Sequence, residues 1–492
     1  MNSYLFFIAV QLCSVAGLAI YGFNALLMTL LFGVHRGRGQ SPRPYPDPWP
    51  HVTVQLPIYN ERFVVQRLID AAARLDYPRH RLTIEVLDDS TDETSALARA
   101  QAEHYRENGI NITYHHRARR EGFKAGALAA AFPHTTGEFV AVFDADFLPS
   151  RSYLRQVIPQ FSDPQVGMVQ TRWGHLNAKH SVLTRAQAMA LDGHFVVEQT
   201  ARSRAGLFFN FNGSAGIWRR TCILDAGGWH SDTVAEDLDL SYRAQLLGWK
   251  MCYLPDVISL SEIPADVPAF KRQQFRWAKG SVQCLLKHGW DVAVGSDCLW
   301  RRAQGLLHLG GYLAHPLMML LLLSSLAILL HGGAGHLPWG ILSLAGLGPP
   351  ILYAVSQMAS YADGYRRCLY FPFLLLLGMG ITVNNTWAVA EALCGRNPSL
   401  FLRTPKTSAV EGHILRGGQQ AYTIGSDWTS WGELACGICA LVAAILALEH
   451  NPGMVPFMLL FAMGLLYTAA LGLEHWWHIA RQRVHPAIVV RD

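Results

Sequence analysis

Apolar residues are distributed along this chain in two regimes. Residues 4 to 33, 305 to 331, 338 to 360, 369 to 393, 433 to 449 and 454 to 478 are long apolar runs. Each lies near the ~20 residues that a helix needs to cross the hydrocarbon core of a bilayer. Between about 50 and 300 the pattern changes. Short runs rich in Val, Ile and Tyr predict strands over 53 to 57, 82 to 87, 110 to 115 and 139 to 143, and helical periodicity follows over 61 to 75, 92 to 107 and 122 to 132. That alternation predicts a soluble-type α/β domain with a mainly parallel sheet covered by helices on both faces. Ligands of such sheets bind beyond the carboxyl ends of the strands. Tyr59, Asp88, Asp89, Asp144 and Asp146 all fall at those ends, so the topology gathers them into one cleft.

Composition agrees with this division. The 492 residues allow two or three folding units, and 51% hydrophobic against 16% charged residues leans toward a partly membranous protein. The first apolar run is too long for the core of a cleaved signal peptide, and its basic flank (His35, Arg36, Arg38, Arg43) follows it, which predicts a signal anchor. Positive-inside logic then places the N-terminus outside and the central domain in the cytoplasm, in an inner or plasma membrane. The net charge of +5 reflects this juxtamembrane bias and predicts no nucleic-acid partner.

Arg396, Arg403, Lys406 and Arg416, together with Arg481 and Arg483, stay inside if residues 369 to 393 lie in the interface instead of crossing. The expectation is therefore five crossings plus one interfacial segment, and Asn384, Asn385 and Glu391 suit an interface better than lipid. Nine scattered cysteines are expected to be reduced. Cys436-x-x-Cys439 sits in an apolar run with no second pair and predicts packing, not zinc. Asn212-Gly213-Ser214 matches a glycosylation acceptor, but the expected cytoplasmic location deprives it of that meaning.

The candidate chemistry lies between the two hydrophobic zones. Asp144 and Asp146 at a strand end can approach one Mg²⁺ or Mn²⁺, cations that take oxygen ligands together with substrate phosphates. Asp88 and Asp89 can accept hydrogen bonds from an imide N–H and from ribose hydroxyls. Lys124, at the start of a predicted helix, offers a cation and backbone donors to a diphosphate. Glu236 and Asp237 open an amphipathic helix. Helix capping is one role for them, and a general base for an acceptor hydroxyl, assigned to Asp237, is the other. Arg276 can neutralise a leaving diphosphate, and Trp277 can stack on the apolar face of an acceptor sugar. Metal, base and sugar platform together are what transfer from a sugar nucleotide requires.

Longer strings carry a family resemblance. Pro57-Ile58-Tyr59-Asn60-Glu61, Val86-Leu-Asp-Asp-Ser-Thr-Asp92, Gly122-Phe-Lys-Ala-Gly-Ala127, Phe143-Asp-Ala-Asp-Phe147, Val169-Gln-Thr-Arg-Trp173, Phe211-Asn-Gly-Ser-Ala-Gly216, Glu236-Asp237 and Gln273-Gln-Phe-Arg-Trp277 occur in this order. The stretch from about 52 to 290 resembles the processive family 2 glycosyltransferases, including cellulose synthase, and most closely the plant cellulose-synthase-like A and C groups that make mannan and glucan backbones.

The resemblance implies a GT-A fold, inversion to a β-linkage, a divalent metal and a channel built from the C-terminal helices. It implies a donor site of Tyr59, Glu61, Asp88, Asp89, Lys124, Asp144, Gln273 and Arg276, catalytic roles for Asp237, Glu236 and Arg276, and an acceptor site of Trp277, Asn212, Gly213 and Ser214. Phe401, Thr404 and Lys406 are similar to the family's gating segment, Phe-x-Val-Thr-x-Lys, with Arg403 in place of the valine. Ala235 stands before Glu236 where cellulose synthases carry Thr.

The expected organisation is an anchor (1–36), a catalytic domain (45–265), interfacial helices (266–304) and a membrane channel region (305–492) holding an interfacial segment (365–398) and a gating-like loop (399–410). No appended nucleotide-sensing domain is expected after the last apolar run. UDP-glucose is the favoured donor, with GDP-mannose the nearest variant, and a growing glycan is the favoured acceptor. A transferase adding one sugar to a lipid, or a non-catalytic glycan receptor, are the other readings; intact Asp144, Asp146 and Asp237 oppose the receptor.

Overall fold

β-Branched and aromatic runs between 52 and 261 form seven strands: β1 (Val52–Ile58), β2 (Leu82–Asp88), β3 (Ile112–His116), β4 (Phe139–Val142), β5 (Val166–His175), β6 (Gly216–Arg219) and β7 (Lys250–Ser261). The computed structural model describes residues 2–37, 43–332, 344–395, 409–410, 413–414 and 428–484. The strands make one sheet in the order 3-2-1-4-6-5-7. β1 pairs in parallel with β2 and β4, and β2 with β3, as the sequence predicts. β6 is the exception: it enters antiparallel between β4 and β5, while β7 runs parallel to β5.

Every residue of β1 and β2 is buried, because helices cover both faces of the sheet. One apolar core lies against the helix Val65–Ala73 and includes Val54, Leu68, Val86 and Phe143. A second gathers Leu128, Val140, Trp218 and Leu240 on the other face. The predicted helices appear as Val65–Ala73, Thr94–Glu107 and Phe123–Ala131, each a little shorter than its periodicity.

After the sheet the chain runs into a 28-residue helix, Val267–Val294. Asp266 caps it by accepting the Ala269 amide at 2.8 Å, and a proline occupies its first turn, where no amide partner is needed. Among the described residues four helices are long and apolar enough to cross a membrane: Tyr4–His35, Gly311–Leu330, Thr429–His450 and Pro452–Glu474. A fifth crossing arises if the bent pair Gly364–Gly380 and Thr382–Leu393, which meet at 42°, counts as one span. Of the predicted run 338 to 360 the described helix is Gly348–Ser360, only 13 residues. It approaches the first helix backbone to backbone, since a Cβ on Gly348 would lie 2.0 Å from the Gly22 carbonyl oxygen.

The bent pair holds a correction to the interfacial reading of its polar residues. Asn384 and Asn385 are buried inside the protein; Asn384 donates to the Lys271 carbonyl at 3.0 Å, and Asn385 lies 3.0 Å from His315 Nε2. Glu391 accepts from Lys279 Nζ at 2.8 Å and from Trp387 Nε1 at 2.9 Å. The segment is thus polar because it clasps the helix Val267–Val294. A second clasp joins Lys271 to Glu433 at 2.7 Å, with both side chains almost fully buried.

Candidate active site

Three short loops at the carboxyl ends of β1, β2 and β4 build one wall of the site. Asn60, held at φ 55°, donates its amide to Ser90 Oγ at 2.8 Å, and its side chain accepts the Thr91 amide at 2.8 Å, so the loops after β1 and β2 are stitched together. Tyr59 lies half-buried with the Arg120 guanidinium 3.5 Å above its ring. Glu61 is buried and its carbonyl accepts the amides of Val64 and Val65, turning the chain into the next helix.

Asp88 is fully buried and accepts from the Ser90 amide at 2.8 Å and the Tyr114 hydroxyl at 2.6 Å, with His116 Nδ1 at 3.2 Å. Burial opposes its charge, but these donors win and hold its carboxyl below the usual carboxylate range. Asp89 forms a two-pronged pair with Arg117, at 2.7 and 2.6 Å. Both carboxylates of the predicted nucleoside wall are therefore fixed in place by the protein itself.

The opposite wall assembles around Lys124. Gly122 adopts φ +70°, a left-handed turn that starts the helix Phe123–Ala131 and points Lys124 into the cleft. Its ammonium lies 2.6 Å from Asp144 Oδ1 and 3.7 Å from Glu236 Oε1, and donates to the Gly213 carbonyl at 2.6 Å. Burial would lower its pKa, yet Asp144 and Glu236 outweigh burial and raise it. Asp144 is itself oriented, its amide donating to Ser214 Oγ at 2.9 Å. Asp146 is buried beside it and accepts the Glu262 amide at 3.2 Å.

Glu236 and Asp237 begin the helix Glu236–Leu246, and Ala235 before them provides no side-chain cap. Asp237 Oδ1 accepts the Leu238 amide at 2.8 Å. Its Oδ2 faces Gly213, where φ is +80° and a Cβ would come within 2.9 Å of that oxygen. Burial, and then the neighbouring Glu236 charge, push the Asp237 carboxyl up to about 7, with Lys124 opposing. A carboxylate so tuned is suited to take a proton near neutral pH.

Gln273, Arg276, Trp277 and Gly280 recur at three- and four-residue spacing along one face of the helix Val267–Val294. Gly280 allows that helix to press against the start of the Glu236 helix, because an added Cβ would lie 2.6 Å from Ala235 Cβ. Burial lowers the Arg276 pKa, and the charges of Glu236, Asp144, Asp237 and Asp146 oppose that shift, so the guanidinium is within electrostatic reach of all four carboxylates. Gln273 and Trp277 are half-buried on the same turns.

Four carboxylates thus face two cations, Lys124 and Arg276, a surplus of negative charge that a divalent ion would neutralise. Another group of potential ligands, His230, Asp232 and Asp239, is already neutralised: Asp239 pairs with Arg243 at 2.7 Å, Lys287 at 2.8 Å and His288 at 2.7 Å. Asn212 and Ser214 flank Gly213; the Asn212 amide donates to Gln170 Oε1 at 3.0 Å, and the Ser214 carbonyl accepts Trp173 Nε1 at 3.3 Å. Phe401, Thr404 and Lys406 lie outside the described residues. Sequence reasoning did not single out His194, which lies 3.0 Å from Asn212 Oδ1, or Glu198, which lies 3.2 Å from that histidine. Their only signal is an i, i+4 polar pair on either side of the apolar Phe195-Val196-Val197.

A parallel-sheet cleft with carboxylates and a lysine at its strand ends, closed by an antiparallel β6, is the GT-A type of glycosyltransferase fold. Residues 50–280 match the family model described as Glycosyltransferase like family 2, and this stretch, which holds the whole site, is a family 2 glycosyltransferase domain. The chain is 44% identical over 267 residues to "Probable glucomannan 4-beta-mannosyltransferase 7" of Oryza sativa subsp. japonica, covering 53% of this chain and 44% of that protein. It is 45% identical over 244 residues to "Glucomannan 4-beta-mannosyltransferase 2" of Arabidopsis thaliana, covering 49% and 46% respectively.

The chain spans about half the length of the curated relatives it matches. Among solved structures, the mannosyltransferase PcManGT from Pyrobaculum calidifontis, in complex with GDP-Man and Mn2+, superposes with a TM-score of 0.55. At 23% identity over 80% of this chain and 99% of that one, this is a likeness of fold.

Proposed function

We propose that this protein is a membrane-embedded, inverting hexosyltransferase that polymerises a β-linked mannan-type glycan from a nucleotide sugar on the cytoplasmic face. The observation that carries the reading is the convergence of Lys124, Asp144, Glu236, Asp237 and Arg276 in one cleft at the strand ends. Sequence alone favours UDP-glucose. The relatives' names, 4-beta-mannosyltransferases, move the proposed donor to GDP-mannose and the linkage to β-1,4.

In this reading Asp237 takes the proton from the acceptor hydroxyl as that oxygen attacks the anomeric carbon. Arg276 and Lys124 hold the departing diphosphate, two cations placed where negative charge develops. Gly213, with no side chain, leaves room for the acceptor beside Asp237. Asp144 and Asp146 would hold Mg²⁺ or Mn²⁺, for which the local surplus of carboxylates fits. When bound, such an ion neutralises the diphosphate and makes it a better leaving group. The proposed organisation keeps the anchor 1–36, the domain 45–265, the interfacial helices 266–304 and the membrane region 305–492. The N-terminus is outside, and the product leaves through the C-terminal helices.

Polymer synthesis is tested at Trp277. A growing β-glycan presents an apolar sugar face at each step, and an indole stacked on it contributes on the order of 1 kcal/mol. Trp277→Ala should leave nucleotide affinity near wild type while shortening the product, whereas Arg276→Ala should impair both donor binding and transfer. A wild-type product consisting only of lipid carrying one sugar, at any donor concentration, would replace this reading with single transfer to lipid.

A further inference from the structure

Between the helices Val182–Asp192 and Gln199–Arg204 the chain winds as a π-turn, Gly193–Glu198, a wide turn found frequently at functional sites. Gly193 fits it against the membrane-side helix Gly348–Ser360, since a Cβ there would lie 2.6 Å from Tyr353 Cδ1. Phe195, Val196 and Val197 are buried, but the His194 and Glu198 side chains remain 28% and 26% exposed. His194 Nδ1 lies 3.2 Å from Glu198 Oε2, and its Nε2 lies 3.0 Å from Asn212 Oδ1. The Gln199 amide nitrogen is 3.1 Å from the same Nε2. The other Glu198 oxygen accepts Arg202 Nε at 2.9 Å, and Arg202, 1% exposed, fixes that carboxylate from behind.

Asn212 connects this pair to the chemistry. The next residue, Gly213, gives its carbonyl to Lys124 and borders Asp237 Oδ2. Trp173 packs beneath, its ring 4.9 Å from Phe195 and its Nε1 bonded to the Ser214 carbonyl. We propose that the π-turn is the acceptor-sugar subsite: His194 and Glu198 bind hydroxyls of the terminal hexose, and Asn212 sets their distance from Asp237. A hexose hydroxyl both donates and accepts, and a fixed carboxylate beside an imidazole answers both needs. The inference rests on the glycan-synthase reading above and adds to it the groups that hold the acceptor.

The test uses the full-length protein in lipid nanodiscs, with mannotetraose and cellotetraose as acceptors and GDP-mannose and UDP-glucose as donors. His194→Phe retains the ring volume without its polar atoms, and His194→Gln returns a donor near the position of Nε2. The acceptor KM of His194→Phe should rise about tenfold or more while nucleotide affinity, measured by calorimetry, stays within about twofold. His194→Gln should recover most of that loss. An unchanged acceptor KM in His194→Phe, a parallel loss of nucleotide affinity, or no recovery in His194→Gln overturns the subsite. Wild-type protein that extends neither tetrasaccharide with either donor contradicts the glycan-synthase reading itself, which is a separate outcome.

Discussion

The Asp237 carboxyl is the residue on which the proposed chemistry turns, and its environment sets its behaviour. Burial and the Glu236 charge raise it to about 7, and Lys124 restrains the rise. Only the ionised form can take a proton, so kcat/KM should increase with pH up to about 7 and level off above it. With a divalent cation bound the limb should move to lower pH, because nearby positive charge favours the carboxylate. Asp237→Asn should keep nucleotide affinity and lose ~10² or more in kcat. Loss of donor binding with turnover preserved would assign Asp237 to the donor site. At the paired carboxylates Asp144 and Asp146, chelation with EDTA should abolish transfer and Mg²⁺ or Mn²⁺ restore it, with Asp146→Ala imitating the chelator. Full activity in EDTA would remove the metal from the account.

At the scale of elements, the helix Val267–Val294 joins the cleft to the apolar helices that follow it. Its Lys271 pairs with Glu433 and its Lys279 with Glu391, while Gly280 lets it lie close to Ala235. Breaking a buried pair leaves one charge uncompensated, at a typical loss of about 3–5 kcal/mol. Lys271→Met should therefore lower the thermal unfolding temperature sharply, and the double variant Lys271→Met/Glu433→Met should recover most of it. Equal destabilisation in single and double variants would mean that the pair does not act as a unit.

The sequence made β1, β2 and β4 legible because parallel, doubly covered strands read as apolar runs bounded by turns, and the edge strand β3 was legible from its Ile and Tyr. It did not reveal β6, only four residues long, whose Gly216 and Arg219 break any strand pattern. Nor did it reveal the bends at Gly193 and Gly380, which are set by packing against Tyr353 and against Gly464 and Thr468. Asp144 and Asp237 stood out as candidates because they follow a strand end and open a helix, and Arg276 because it belongs to the Gln273-x-x-Arg276-Trp277 string. Asn384 and Asn385 read as interfacial because a helix pattern cannot distinguish water from a polar protein partner. His194 escaped for the same reason.

On the scale of the whole molecule, the first helix is longer than a hydrocarbon core is thick: 34 residues span about 51 Å, against a core of about 30 Å. Its C-terminal end places Met28 and Phe32 against Val196, Val197 and Leu207 of the sheet domain. The first helix and the sheet domain are thus packed together, an arrangement that suits the proposed synthase. The most direct measurement is product analysis with purified protein in lipid, supplied separately with GDP-mannose and UDP-glucose, followed by digestion with linkage-specific hydrolases. The account predicts a polymer from GDP-mannose that an endo-β-1,4-mannanase cleaves to short oligosaccharides. A product that is only singly glycosylated lipid, or no sugar transfer from either nucleotide, would contradict it.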